Sequence, residues 1–327
     1  MSRWTEADEV SRRSFVKSVA AMAGAVALGG CARMGGATAS AAVPSRTPAM
    51  WAERMGLELF TVRDQIDKDF EGTLAQVAGA GYKEVETTSY AGRTPAQVRA
   101  ALDKAGLSAT STHVALSAGP ELERTLAGYQ EMGHRYSAAR GTGGPGGPPP
   151  GGRGVPQPPP TVDTIKRQAE LYNQIGAAGK PYGVQVLIHN HTNEFQPFAD
   201  SAMTPYEVLF ANIDPAFVVM ELDIGWSTVA GHPALELFAK YPGRFPLWHV
   251  KDMADLATVH AMATQAERQR AAKIVPVGLG DINYRPIFER SSEAGLQHYF
   301  IEQDTAPNTG SIETMRLSAQ NLRRALS

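Results

Sequence analysis

Short β-rich runs alternate with helical stretches about eight times over roughly 270 residues after Trp51, and that alternation predicts a single (β/α)8 barrel. Two further observations agree. Several runs are near-continuously apolar, as strands buried on both faces must be. Four successive runs end on an ionisable side chain, and barrel strands present their C-terminal ends to one pocket. A doubly wound open sheet is the alternative; the absence of a Gly-x-Gly-x-x-Gly turn after the first run counts against a dinucleotide fold.

In chain order, the runs read as strands are Leu57–Val62, Lys83–Thr87, Ala109–Val114, Arg135–Ala139, Val184–His189, Phe217–Leu222, Phe245–Val250 and Tyr299–Glu302. Each is short, as strands are. Between them, Phe70–Ala80, Pro95–Lys104, Val162–Gly176 and Pro205–Ala211 carry helical patterns. Residues 141–160 break the alternation: sixteen of the twenty are Gly or Pro, a composition that buries no apolar surface. This insert follows the fourth strand, on the face where a barrel carries its active site; a tolerated insertion is favoured over a lid or partner contact.

Composition narrows the function. Across 327 residues, 31 Lys and Arg face 33 Asp and Glu, so no basic field advertises nucleic acid or an anionic membrane. The 43% hydrophobic content suffices for a full-sized core. One cysteine, Cys31, excludes an internal disulfide, a Cys-rich zinc site and an iron–sulfur cluster.

The first forty residues stand outside the barrel pattern. Ser11-Arg12-Arg13-Ser14-Phe15-Val16-Lys17 precedes an Ala/Gly-rich apolar stretch from Val19 to Gly30, too short for a span that needs about 20 residues. The segment resembles a twin-arginine export signal. Two processing outcomes compete. Leu28-Gly29-Gly30-Cys31 resembles a lipoprotein box, which would leave a lipid anchor on Cys31, whereas Ala39-Ser40-Ala41 resembles a signal-peptidase site, which would release a soluble periplasmic protein. The expected organisation is an export segment over 1–42 and a barrel over 50–327.

The strand ends carry the chemistry. The fifth continues His189-Asn190-His191-Thr192-Asn193-Glu194-Phe195; the sixth ends Glu221-Leu222-Asp223; the seventh, His249-Val250-Lys251-Asp252; the eighth, Glu302-Gln303-Asp304. A lone buried carboxylate costs several kcal/mol, and several together repel and raise one another's pKa values. A divalent cation resolves the conflict. Glu194, Asp223, His249 and Glu302 are thus expected as metal ligands. Three carboxylates and one imidazole favour Mn²⁺, with Mg²⁺, Co²⁺, Fe²⁺ and Zn²⁺ as alternatives.

The chain from about Gly56 onward resembles the xylose-isomerase-like sugar isomerase/epimerase superfamily, which includes ketose 3-epimerases, hydroxypyruvate isomerase, inosose dehydratase and the endonuclease IV nucleases. The resemblance rests on His189-Asn190-His191-x-x-Glu194-Phe195, Glu221-Leu222-Asp223, His249-Val250-Lys251-Asp252, Val277-Gly278-x-Gly280-Asp281-Ile282, Glu302-Gln303-Asp304 and, on the first strand, Leu57-Glu58-Leu59-Phe60-Thr61-Val62-Arg63-Asp64. It implies one divalent ion on Glu194, Asp223, His249 and Glu302. Some relatives place the first ligand nearer the strand end, here His189, which leaves His191 as ligand or proton-transfer group. It also implies proton abstraction next to a carbonyl through an enediolate, with Glu194 and Glu302 as the two carboxylates. His191, His189 and Lys251 are candidates for shuttling or oxyanion donation; Lys251 alternates with His249, so both point to one side. His113 and Glu86 are candidate binders of substrate hydroxyls, and Trp226 of a sugar face. Arg63 and Lys251 are the cations available to an anionic group, with no cluster or Gly-rich helix start built for phosphate.

The leading expectation is a metal-dependent isomerase or epimerase acting on a non-phosphorylated sugar or keto-sugar. The same site supports β-elimination, as in a 3-keto-glycoside lyase or hydratase. An endonuclease IV-like phosphodiesterase needs a His three residues after the sixth-strand Asp, where Trp226 stands, and the charge balance disfavours DNA. A non-catalytic sugar-binding module would have no need of the complete quartet. A small carbohydrate is the expected partner, with a membrane met only through Cys31. Relatives of this kind are often dimers or tetramers, so a homo-oligomer is also expected.

Overall fold

The computed structural model describes residues 46–140, 159–305 and 310–327. The export segment with Cys31 and all but the last two residues of the Gly/Pro insert lie outside the described residues.

Eight parallel strands close into a barrel. In chain order the strands are β1 (Gly56–Glu58), β2 (Glu84–Thr87), β3 (Ser108–Leu116), β4 (Tyr136–Ala139), β5 (Gln185–His189), β6 (Val218–Asp223), β7 (Leu247–Val250), β8 (Asp252–Ala254), β9 (Lys273–Val275) and β10 (His298–Ile301). All but β8 and β9 form the barrel, each paired with its neighbours, and β10 closes against β1. Helices including Phe70–Gly79, Pro95–Ala105, Leu122–Met132, Val162–Gly179, Pro205–Asn212 and Ser311–Leu326 lie between or after the strands. Thr94, Thr161 and Thr204 start three of them with reciprocal capping boxes, satisfying amide donors that would otherwise be orphaned.

The expected strands fall within two residues of the observed ones except at the first. There the strand ends at Glu58 and Leu59–Val62 forms a 3-10 turn. Leu59, Thr61 and Val62 are buried while Phe60 is exposed, a pattern that an apolar run does not distinguish from a strand. Gly56 permits the tight entry: a Cβ there would lie 2.5 Å from the Tyr299 carbonyl oxygen.

Strand periodicity sorts the barrel interior into layers. Tyr136, Leu187, Leu247 and Phe300 pack together as an apolar floor. Two residues further along β5, β7 and β10 stand His189, His249 and Glu302, so alternation delivers ionisable side chains directly above the floor. Outside the barrel, Trp51, Trp248, Phe288 and Tyr299 belong to the main core between strands and helices.

An excursion between β7 and β10 escaped the sequence reading. β8 and β9 pair antiparallel, with the helices Leu256–His260 and Gln265–Ala271 between them. The buried Asp252 carboxylate ties it down, accepting the N–H groups of Met253, Gly278, Gly280 and Ile282 at 2.9, 2.8, 3.0 and 3.2 Å. A Cβ at Gly280 would meet Asp252 Oδ1 at 2.3 Å, and Gly278 has φ +84°. The Val277–Ile282 motif is thus a backbone cradle for one carboxylate.

Candidate active site and metal centre

His189, Asp223, His249 and Glu302 converge at the C-terminal ends of β5, β6, β7 and β10, each offering one donor atom, all within 4.8 Å of one another. His189 Nε2 lies 3.3 Å from Asp223 Oδ2, and His249 Nδ1 lies 2.8 Å from Glu302 Oε2 and 3.9 Å from Asp223 Oδ2. Two imidazoles and two carboxylates form a donor set suited to a first-row divalent ion.

Local structure holds each donor in place. Asp223 caps the helix Ile224–Val229: its Oδ1 accepts the Trp226 N–H at 2.7 Å, leaving Oδ2 for the site. The Asn190 side chain grips the Asp223 backbone, accepting its N–H at 3.1 Å and donating to its carbonyl at 3.3 Å. Behind His249, Glu86 Oε2 lies 2.6 Å from Nε2, while Ser111 donates to the other Glu86 oxygen. Such outer partners fix the ring and tautomer of a metal-ligating histidine.

Lys251 is buried, its Nζ lying 3.0 Å from Asp223, 2.7 Å from Glu302 and 2.8 Å from Asp304. Burial opposes the Asp223 charge, but Lys251 and His189 hold its carboxyl down at about 2. Lys251 and His249 likewise outweigh burial to depress Glu302. Burial first, and His249 next, push the His189 imidazole down to about 3, keeping it neutral as a metal ligand must be. Burial and the neighbouring Glu302 raise Asp304 to about 7.

A second group lies on the β1–β3 side of His249. Glu58, Glu86, His113 and His249 also bring donor atoms within 4.8 Å of one another. His113 Nδ1 is 3.4 Å from Glu58 Oε1, and its Nε2 is 2.8 Å from Glu221 Oε2 and 3.5 Å from Glu86 Oε2. The His113 and His249 rings stack with centroids 5.3 Å apart. Burial raises Glu58 and Glu221, whereas the imidazoles of His113 and His249 overcome it to hold Glu86 at about 2.

A cavity of about 370 Å³ opens beside these groups, lined by His113, Arg140, Gln168, Tyr172, His189, His191 and Glu194 among others. Glu194 stands apart from the converging quartet, and His189 occupies the place expected for it. The 3-10 turn Asn193–Phe195 folds the Glu194 carboxylate back on its own loop, where Oε2 accepts the His191 N–H at 2.8 Å. Glu194 Oε1 is buried without a hydrogen-bond partner, and burial raises the carboxyl.

The remaining expected residues sort by place. His191 lines the cavity, its ring 4.9 Å from that of His189. His113 also lines it and is partly exposed. Glu86 does not reach it: wholly buried below His249, it supports that ring instead. Trp226 lies buried under Lys251, whose Nζ is 5.4 Å from the ring centroid, and is not part of the cavity lining. Arg63 turns away as well, donating to the carbonyls of Phe60 and Asp304 at 2.8 and 2.7 Å and so joining two loops. The sequence reading missed Glu58, Glu221 and Asp304. Glu221 and Asp304 each lie two residues from an expected ligand, a period-two signal that was available.

Fold and site together define a (β/α)8 barrel with a histidine–carboxylate centre at its mouth. The chain belongs to the xylose isomerase-like TIM barrel family, whose model matches residues 74–324. It is 27% identical over 148 residues to an inosose dehydratase of Clostridium perfringens, a match covering 43% of this chain and 48% of that protein; the chain thus spans about half the length of the curated relative. A sugar phosphate isomerase/epimerase from Parabacteroides distasonis superposes with a TM-score of 0.65 at 21% identity, covering 84% of this chain and 96% of the other. The IolI protein with a bound zinc atom superposes with a TM-score of 0.59 at 13% identity over 84% and 98% of the two chains.

Proposed function

We propose that this protein is a divalent-metal-dependent isomerase or epimerase that abstracts a proton next to a carbonyl of a non-phosphorylated sugar or keto-sugar. The convergence of His189, Asp223, His249 and Glu302 beside a cavity of about 370 Å³ carries the reading. The zinc in the IolI structure supports a metal at such a centre. A bound divalent ion would polarise the substrate carbonyl and stabilise charge developing on its oxygen.

The chain supplies the remaining chemistry. Glu194 offers the cavity wall a carboxylate with one unpartnered oxygen, and its raised pKa suits a group that takes up and returns a proton. His191 stands beside it as a second proton carrier. Glu302 is the other carboxylate of the pair, held by Lys251 and His249. Lys251 fixes the ligand carboxylates and offsets one of their charges. Arg140 is the only Lys or Arg among the described lining residues, which supports a substrate without phosphate.

The test is turnover of a panel of free sugars and keto-sugars by metal-reloaded protein. Isomerisation or epimerisation that is lost in Glu302→Gln supports the reading; turnover unchanged in that variant removes Glu302 from the mechanism. The similarity to an inosose dehydratase favours β-elimination as a second reading. Release of aglycone from 3-keto-glycosides, without epimerised product, would select it.

We also propose that the leader directs twin-arginine export, with lipidation of Cys31 as the favoured outcome. Cell fractionation of Arg12→Lys/Arg13→Lys and Cys31→Ser variants tests this. Cytoplasmic retention of the first and release of the second from the membrane are expected; unchanged fractions for both would refute it.

A further inference from the structure

Charge compensation in the barrel mouth is incomplete with one ion. Glu58, Glu86, Glu221, Asp223 and Glu302 are all buried, and Lys251 is the one buried ammonium among them. Those five carboxylates, set against one ammonium and one divalent ion, leave two negative charges when His113 and His249 serve as neutral ligands. Burying them without partners carries a heavy solvation penalty.

The excess lies in the group on β1–β3. Glu58 is 2% exposed, yet its Oε2 has no hydrogen-bond partner and stands 3.5 Å from His249 Nδ1; Glu221 Oε1 is likewise buried and unpartnered. Glu221 Oε1 meets no donor from the protein atoms, and Glu58 Oε2 meets only a long His249 contact and the like-charged Glu302. The ligand atoms of Glu58, Glu86, His113 and His249 already lie within 4.8 Å of one another, so side-chain shifts of a few tenths of an ångström would bring them within the about 4.4 Å that two bonds of about 2.2 Å to a common centre allow. His113 joins this group to the cavity, since it lines the cavity and its side chain is 21% exposed.

We propose that Glu58, Glu86 and His113 hold a second divalent cation beside the first, on the β1–β3 side of the His249 ring, flanked by Glu221. This inference rests on the metal centre proposed above. Its mixed carboxylate–imidazole donors suit Mn²⁺, Fe²⁺, Co²⁺ or Zn²⁺ rather than Ca²⁺. Two positive charges there match the two left uncompensated. The competing solution is protons shared among His113, Glu58 and Glu221, and metal counting separates the two.

The experiment strips the full-length protein with chelator, reloads it with Mn²⁺ or Zn²⁺, removes free ion and measures metal per chain by mass spectrometry. Two ions per wild-type chain are expected, falling to one in Glu58→Gln/Glu221→Gln. The Mn²⁺ form should show electron paramagnetic coupling that disappears in that variant. One ion per wild-type chain, lost in Asp223→Asn, would overturn the second site and leave the proposed function standing. No ion would overturn both. Two ions undiminished in Glu58→Gln/Glu221→Gln would place the second elsewhere and refute this assignment. The wild-type count requires no variant to fold, and circular dichroism checks the variants that are used.

Discussion

Asp223 has two separable tasks, because each carboxylate oxygen serves a different one. Oδ1 caps the helix Ile224–Val229, and Oδ2 faces His189 and Lys251. Asn caps helices about as well as Asp, whereas Ala forfeits about 1 kcal/mol. Asp223→Asn is therefore expected to keep the cap and lose the ligand, and Asp223→Ala to lose both. Lys251 retains Glu302 and Asp304 in either variant, so the substitution leaves no unpaired buried ammonium.

Losing a ligand should weaken metal binding by at least the hundredfold that outer partners alone can cost. With free ion at a hundred times the wild-type dissociation constant, bound metal stabilises the wild type by about 2.7 kcal/mol, and a site a hundredfold weaker by about 0.4 kcal/mol. At roughly 2–4 °C per kcal/mol for a domain of this size, loss of the ion at this centre alone should lower the melting temperature by about 5–10 °C in the wild type and by about 1–2 °C in Asp223→Asn, with any second ion adding the same amount to both. Thermal unfolding with and without chelator measures both, and urea unfolding in chelator compares Asn with Ala. A chelation shift in Asp223→Asn equal to that of the wild type would remove Asp223 from the metal centre. Equal urea midpoints for Asn and Ala would remove the cap.

Three further outcomes are expected. Glu302→Gln should lower turnover by about a thousandfold or more with far-ultraviolet circular dichroism unchanged; a loss under tenfold would refute its place in the proton chemistry. If Glu194 is the base, activity requires its carboxylate form, so kcat/KM should fall as pH drops through a pKa raised above the ordinary carboxylate value, and Glu194→Gln should abolish that limb; a wild-type profile flat down to pH 4 would exclude it. Asp252→Ala strands four backbone N–H groups and should cost about 3–5 kcal/mol in urea unfolding, whereas a loss below 1 kcal/mol would show that the cradle holds without its acceptor.

The barrel was legible because its strands are short apolar runs ending on ionisable residues, and Asp223, His249 and Glu302 follow from those ends. The choice between Glu194 and His189 was left open, since spacing alone cannot tell whether a carboxylate five residues past a strand turns inward or back on its loop. Here Glu194 Oε2 accepts the His191 N–H, while His189 joins the converging donors. Glu86 was placed on the correct face but is fully buried behind His249 and His113, because a strand pattern gives the face of a residue and not what covers it. The β8–β9 excursion escaped because its pairing joins residues about twenty apart through two short helices, with no run long enough to signal a strand.

The devices that hold this site are mostly backbone devices: a helix cap for Asp223, an amide grip from Asn190 and a four-donor cradle for Asp252. Alanine at such positions removes charge and support together, so a lost activity there says little about chemistry. Isosteric changes separate the two. Asn190 donates to and accepts from the Asp223 backbone through different side-chain atoms, so Asn190→Asp keeps the acceptor and loses the donor. It also adds a carboxylate beside Asp223, and any rise in metal affinity above the wild type would then report charge, since the geometry can only have worsened.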